Sequence, residues 1–392
     1  MNESRAQSSR RIAVLTTTRA DYGLLRELIR ILADASDATL QLIVSGTHLA
    51  AAFGHTIKEI EADGFNIAAT VDLDLDGHAS VDAARSAGIG LQRFAETFSA
   101  LAPDLLVLLG DRYEILAAAT AATILNLPIA HIHGGEVTSG AFDDQIRHAV
   151  TKLSLIHFVA ADPYRRRVIQ LGEEPKLVFN VGAPGLDQIQ RQQAVGREAV
   201  ANALSLPAQA KYVVVTLHPT TARPDLDRAS VDALLGALDR VPEIFAVFTG
   251  VNADPGHDEI ASAIRNHVDR NPHRSRLFLS LGSSGYLNAV RHAETVMGNS
   301  SSGIIEAPAL GTPTINIGER QSGRLRAVSI VDCDPGVEAV AAALSTVLDS
   351  KFRERVRNQE LPYGGPGASA RIAEILREID FCRYLPKRFH DL

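Results

Sequence analysis

Thirteen short apolar runs, mostly separated by segments of helical spacing, constrain this chain more than any other feature. The first seven are "RIAVLTT" (11–17), "LQLIVSG" (40–46), "NIAATVDL" (66–73), "LLVLLG" (105–110), "PIAHIH" (128–133), "IHFVAA" (156–161) and "LVFNVG" (177–182). They are continuous rather than alternating, so both faces of each strand are buried. Helical patterns at 22–33, 81–101, 115–125 and 145–155 lie between them. Buried strands alternating with helices predict a parallel sheet covered on both sides. The polar, strand-free segment "GLDQIQRQQAVGREAVANALSLPAQAK" (185–211), closed by Pro207, interrupts this rhythm. The pattern then restarts with runs at 212–218, 244–250, 276–281, 294–299, 313–318 and 327–332. The expectation is an α/β chain with two Rossmann-like domains, 11–185 and 186–365, after a disordered lead-in over 1–10. Residues 369–379 read as a final helix within a tail over 366–392. Two such domains in tandem predict a cleft between them, lined by the carboxyl ends of their strands.

Charge narrows the choice of partner. Acidic residues number 46 and basic residues 39, a net charge of −7, so the footprint of a nucleic-acid binder is missing. No apolar run reaches the ~18 residues that suggest a membrane span. The start, "MNESRAQSSRR", lacks the apolar core of a secretory signal. Cys333 and Cys382 show neither metal-ligand nor disulfide spacing. These features predict a cytoplasmic protein with no membrane or nucleic-acid partner.

Polar clusters stand where the strands stop. Arg19 and Asp21, with Gly23, occupy the first strand-to-helix turn, a usual place for phosphate or sugar contact, though an Arg–Asp pair there also caps a helix. Asp111 follows Gly110, and a partly desolvated carboxylate in that place can act as a general base. In "HIHGGEVTSGAFDDQIRH", His131 and His133 share a strand face, with His131 the deeper, core-like member. Glu136, Asp143, Asp144 and Arg147 follow. An H-x-H pair with carboxylates suits zinc, but no clean third ligand is apparent, so no metal and no cofactor is expected. His218 ends the first strand of the second domain. The strongest local feature is "GNSSSGIIEAPALGTPTINIGERQSGR" (298–324). A helix beginning near Ser302 offers free backbone N–H groups and its dipole to an anion, and three serines add donors. Glu306, one turn inside, suits the two hydroxyls of a ribose, and Arg320 adds positive charge. A plain serine N-cap is the simpler alternative. Neither a Walker loop nor G-x-G-x-x-G is present.

"TRADYG", "GDRYE", "HIHGGE", "DDQIRHAVTKLS", "LHPTT", "GNSSSGIIEAP" and "INIGERQSGR" together resemble the hydrolysing UDP-N-acetylglucosamine 2-epimerases of bacterial sialic and legionaminic acid synthesis. The resemblance runs from about residue 11 to residue 380. It implies a GT-B-like fold: two Rossmann-like domains, a deep cleft, and a C-terminal helix packing back on the first domain. It also implies that Arg19 and Asp21 contact the nucleotide-sugar, and that Asp111, Glu136, Asp143 and His218 surround the reacting sugar. Arg147 would hold the carboxylate cluster or the ligand. Ser300 and Ser301 would bind diphosphate, Glu306 the ribose, and Arg320 the phosphates. The loop "LGSSGY" (281–286), with Gly282, Ser283 and Tyr286, would cradle uracil. Many relatives carry Glu at the position of His133, which moves the acid–base role toward Glu136 or Asp143. Leu24 stands where non-hydrolysing relatives carry Lys, which favours the hydrolysing branch.

The implied reaction takes the C2 proton, expels UDP from C1 and adds water to the resulting glycal. The first-choice substrate is UDP-N-acetylglucosamine, giving N-acetylmannosamine. UDP-N,N′-diacetylbacillosamine is the alternative, with the loop over 45–56 a candidate reader of the C4 and C6 substituents. Two other classes share the fold, a GT-B glycosyltransferase and a nucleotide-sugar binding module without chemistry. Ala-rich helices at 81–102 and 115–127 predict a homodimer, and relatives also form homotetramers.

Overall fold

The computed structural model describes residues 9–50, 55–75, 80–137, 143–220, 225–251 and 257–391. Of the lead-in over 1–10, residues 1–8 therefore lie outside the described residues, as do 51–54 of the candidate reader loop. Two compact units form. One runs to Glu136, resumes and continues to Asp187, and takes in the chain from Pro366; the other spans Gln188–Gly365 and a short piece from Val137.

The first unit holds β1 (Arg10–Thr16), β2 (Ala38–Ser45), β3 (Ile67–Val71), β4 (Leu105–Leu109), β5 (Ile129–Ile132), β6 (Ile156–Val159) and β7 (Val178–Asn180). They pair in the order β3-β2-β1-β4-β5-β6-β7, and every pairing is parallel. Leu105–Leu109 is buried at all five positions, as a strand covered on both faces must be. Helix Arg19–Ala33 covers one face through Leu25, Leu28, Ile29 and Leu32. Helices Ser80–Leu101 and Tyr113–Ile124 cover the other with Phe94, Phe98, Ile115 and a block of alanines. The Ala-rich surfaces are thus largely consumed inside the unit.

Helix Ala368–Glu378 belongs to the first unit and packs against Arg19–Ala33 through Ile372, Ala373 and Leu376. Its free N-terminal amides would be orphaned by Gly367, which carries no side chain to cap them. Asp187 serves instead, accepting from the amides of Gly367 (2.5 Å), Ala368 (3.0 Å) and Ser369 (2.6 Å).

The second unit repeats the design with β8 (Tyr212–Thr216), β9 (Phe245–Thr249), β10 (Ser275–Phe278), β11 (Thr295–Gly298), β12 (Thr314–Ile317) and β13 (Ile330–Cys333). Their order is β10-β9-β8-β11-β12-β13, again all parallel. Among the described residues, no helix is long and apolar enough to cross a membrane.

Candidate active site

In the first unit the strand order reverses between β1 and β4, and open sheets of this kind bind ligand beyond the carboxyl ends at that point. The chain leaving β1 is tied down by Asp21. Its buried carboxylate accepts from the Thr16 hydroxyl, the Thr17 amide (2.9 Å) and hydroxyl (2.8 Å), and the Thr18 amide (3.0 Å). Thr18 returns a cap to the Asp21 amide at 3.2 Å. Asp21 is therefore turned inward, not toward a ligand as expected. Three consecutive hydroxyl-bearing residues compete for its oxygens, so it orders the turn. Arg19 remains outward, with Nε 3.7 Å from Glu59. His48, from the candidate reader loop, also turns in. It is fully buried, 3.0 Å from the Thr16 hydroxyl and 2.7 Å from that of Thr56, and burial depresses its basicity against the pull of Asp21. Nothing in the sequence pattern separated it from an exposed loop histidine.

Beyond β4, Asp111 accepts a hydrogen bond from Arg147, which is itself buried. Arg147 lies one turn into helix Asp143–Leu153, and its other terminal nitrogen is 3.7 Å from Asp144. Asp143 opens that helix. Burial raises its pKa, and the charge of Asp111 raises it further. Arg147 and Asp111 thus meet, and Asp143 stands near enough to feel the charge of both. Behind them His131 Nε2 donates to the Gly110 carbonyl at 2.8 Å while Nδ1 stands 3.1 Å from the Thr151 hydroxyl. Burial pushes the His131 pKa down to about 3, so the ring is neutral and fixes the turn that carries Asp111. The adjacent pair went unpredicted: Arg112 bonds fully buried Glu114 at 2.9–3.1 Å.

Beyond β5 the backbone is strained. His133 has φ +68°, an uncommon value for a residue with a side chain. Its Nδ1 lies 2.5 Å from Glu136 Oε1. Its other ring nitrogen, Nε2, is buried and without a hydrogen-bond partner among the described residues. Gly135 makes this turn possible, since a Cβ there would stand 2.6 Å from the Tyr164 carbonyl. Arg167 donates to the Gly135 carbonyl from helix Asp162–Gln170, which follows β6.

In the second unit the order reverses between β8 and β11. Asn299 joins the two strand ends, with Oδ1 accepting from the His218 amide and Nδ2 donating to the His218 carbonyl, both at 2.8 Å. The Asn299 carbonyl accepts from Arg320 (3.2 Å) and Gln321 (2.9 Å). Asn299 stood in a quoted motif but was not singled out, because a strand-end Asn is ordinarily a turn residue. Ser300 caps helix Ser301–Ala309, accepting from the Ser302 amide at 3.4 Å, and Glu306 lies one turn inside. The helix N-terminus, Ser300, Ser301 and Arg320 thus gather donors in one place. His218 is buried, and burial together with the Arg320 charge lowers its pKa to about 4. The expected uracil loop is helical instead. Helix Gly282–His292 begins within it, because Gly282 at φ +64° turns the chain into the first turn. Ser283 is exposed and bonded to Gln188 and Gln192, while burial raises the Tyr286 phenol. Among the described residues, no group of three or more His, Cys, Asp or Glu could hold a metal ion.

These depressed histidines link stability to pH. A base whose folded pKa lies below its unfolded value binds more protons when unfolded, so its contribution is complete above the unfolded pKa and is lost as pH falls. His131, at about 3 folded against roughly 6.5 unfolded, removes about 2 kcal/mol by pH 5. His48, His157 and His218 act in the same direction. The melting temperature is expected to fall from pH 7 to pH 5 in a thermal melt; an unchanged value would contradict the buried neutral histidines.

A family model described as UDP-N-acetylglucosamine 2-epimerase matches residues 30–377. The chain is 35% identical to the GDP/UDP-N,N′-diacetylbacillosamine 2-epimerase (hydrolyzing) of Campylobacter jejuni, over 98% of this chain and 100% of the relative. It is 34% identical to the UDP-N,N′-diacetylbacillosamine 2-epimerase (hydrolyzing) of Legionella pneumophila, over 94% and 96%. Against the UDP-N-acetylglucosamine 2-epimerase of Neisseria meningitidis the identity is 31% over 83% and 84%. The fold is similar to the crystal structure of a UDP-GlcNAc 2-epimerase from Neisseria meningitidis bound to UDP-GlcNAc, with TM-score 0.81, 16% identity, and coverage of 94% of this chain and 100% of that one.

Proposed function

The chain belongs to the UDP-N-acetylglucosamine 2-epimerase family and is a hydrolysing UDP-sugar 2-epimerase; we propose that its substrate is UDP-N,N′-diacetylbacillosamine. The observation that carries this choice is near-complete mutual coverage with two relatives named for that sugar, at 35% and 34% identity. It displaces UDP-N-acetylglucosamine from first place to second reading, which the Neisseria relative's name supports. The product would be the corresponding 2-epimeric free sugar and UDP.

The chemistry assigns the residues as follows. C2–H is weakly acidic, so C1–O cleavage must run ahead and leave positive charge on the ring. UDP then needs stabilisation as it departs, which the Ser300–Ser301 helix end and Arg320 supply. Neutral His218 orients water or the leaving phosphate as a hydrogen-bonding group rather than as a cation. Glu306 takes the ribose, while Gly282, Ser283 and Tyr286 face the base. In the first unit Asp111, held by Arg147, takes the C2 proton. Asp143, with its raised pKa, then protonates C2 of the glycal from the other face, and water captures the resulting C1 cation and gives its proton back to that carboxylate. The unpartnered His133 Nε2, set by Glu136, is the alternative donor site once protonated. Arg19 reaches the nucleotide-sugar from the surface.

The test compares kcat/KM for the two nucleotide-sugars, following the sugar C2 configuration by proton NMR. A pocket built for a methyl and an N-acetyl group discriminates against hydroxyls less than the reverse, so a roughly tenfold to hundredfold preference is expected. A preference for UDP-N-acetylglucosamine would reverse the substrate assignment. A homodimer is proposed as well, because Val81 and Ile124 remain 63% and 69% exposed on the two Ala-rich helices. A monomeric mass in light scattering at micromolar concentration would exclude it.

A further inference from the structure

The helices that present the proposed acid–base groups are fastened at their far ends by a segment the reaction does not touch. Helix Asp143–Leu153 carries Asp143 and Arg147 near its start. Its end is bound by Lys387, whose Nζ donates to the carbonyls of Lys152 and Ser154, both at 2.5 Å. The next helix, Asp162–Gln170, holds the turn of His133 and Glu136 through Arg167 and the close approach of Gly135 to Tyr164. The chain leaving that helix is bound by Lys152, which donates to the carbonyls of Leu171 (3.1 Å) and Gly172 (3.3 Å). A single buried carboxylate joins the two fastenings: Glu173 lies 2.7 Å from Lys152 and 2.7 Å from Lys387, and accepts from His157 at 3.0 Å.

Lys387 arrives from the far end of the chain, and its neighbours fix it there. The Phe389 ring lies flush on Gly172, where any Cβ would stand 2.3 Å from the ring, and Lys152 Nζ sits 4.4 Å from the ring centroid. The His390 amide donates to the Gly172 carbonyl at 2.9 Å. The tail therefore meets both helix ends through ions, a ring and the backbone together. Carbonyls at a helix C-terminus are orphaned groups that favour a cation.

We propose that Lys387 is a positioning residue: by tying the ends of both helices to Glu173, it sets Asp143 and Arg147 in register with Asp111 and with the His133–Glu136 turn. This rests on the assignment of those groups to the reaction. A shift of about 1 Å at reacting groups costs on the order of a hundredfold in rate, so a distant anchor can control turnover without touching substrate.

The experiment uses the full chain with Lys387→Met, Lys387→Arg and Phe389→Ala, measured with the better of the two nucleotide-sugars. Rates are referred to the fraction with a folded first unit, counted by amide hydrogen exchange of strands β4–β6. Lys387→Met is expected to lower kcat roughly 10- to 100-fold with KM and UDP affinity nearly unchanged. Lys387→Arg, which keeps the charge and donors, restores most of the rate. Phe389→Ala is a milder variant that keeps Lys387 and loosens its seat; it lowers kcat by a smaller factor and serves if Lys387→Met does not fold. A merely structural role would lower the melting temperature and the folded fraction but leave kcat per folded molecule unchanged. That result in Lys387→Met, or in Phe389→Ala where the former does not fold, overturns the proposal. Absence of turnover in the wild-type chain would instead overturn the functional reading beneath it.

Discussion

Asp111→Asn is expected to abolish epimerisation, with kcat falling roughly 10²- to 10⁴-fold, while UDP binding survives. The substitution keeps the shape and can still accept from Arg147, so the buried guanidinium is not left alone; Asp144 also remains 3.7 Å from it. What disappears is the ability to take a proton. Because the proposed UDP-binding groups, the serines, Arg320 and Glu306, all lie in the other unit, nucleotide affinity is expected not to depend on Asp111. Proton NMR of the sugar and calorimetric titration with UDP measure the two quantities. Turnover at the wild-type rate would remove Asp111 from the base role and leave Asp143 as the next carboxylate to test.

Gly298→Ala is expected to destabilise the second unit by roughly 3 kcal/mol or more and to weaken UDP binding at least tenfold. Gly298 has φ +134° and pairs with Thr216, and a Cβ there would fall 2.0 Å from the Thr216 carbonyl oxygen. Backbone cannot yield as a side-chain end can, so β8 and β11 must separate where they deliver His218 and Asn299. Gly311→Ala is the control. It also has positive φ, +72°, but meets nothing within 4 Å, so only the conformational cost of about 1 kcal/mol applies. Urea unfolding of both variants separates collision from φ preference. Equal costs would show that the β8–β11 approach has slack.

The backbone plan was readable because it depends on local pattern. Continuous apolar runs such as Leu105–Leu109 and Tyr212–Thr216 became the buried parallel strands that their composition demanded. Charged residues just past those strands fell near the reversal points because strand order follows from right-handed crossovers. The residues harder to read were those open to more than one partner or conformation. Asp21 stood in a turn that offered either a ligand contact or a cap, and three threonine donors decided it. Gly282, Ser283 and Tyr286 read as a loop, since glycine and serine disfavour helix, yet packing drew them into one. Lys387 and Glu173 lie more than two hundred positions apart, and no periodicity links a polar tail to a strand-flanking glutamate.

The capping of helix Ala368–Glu378 by Asp187 bears on how the protein is made. A ribosome finishes β1–β7 early, but the helix that covers Leu25 and Leu28 emerges only after the entire second unit has been synthesised. Until then the nascent first unit carries an open apolar flank, and Asp187 waits for amides that do not yet exist. The usual order, in which the N-terminal unit folds first, is therefore inverted at its last step. The second unit can close upon itself during translation, whereas the first closes only once helix Ala368–Glu378 has emerged, and chaperones that shield apolar surface have their natural window in between.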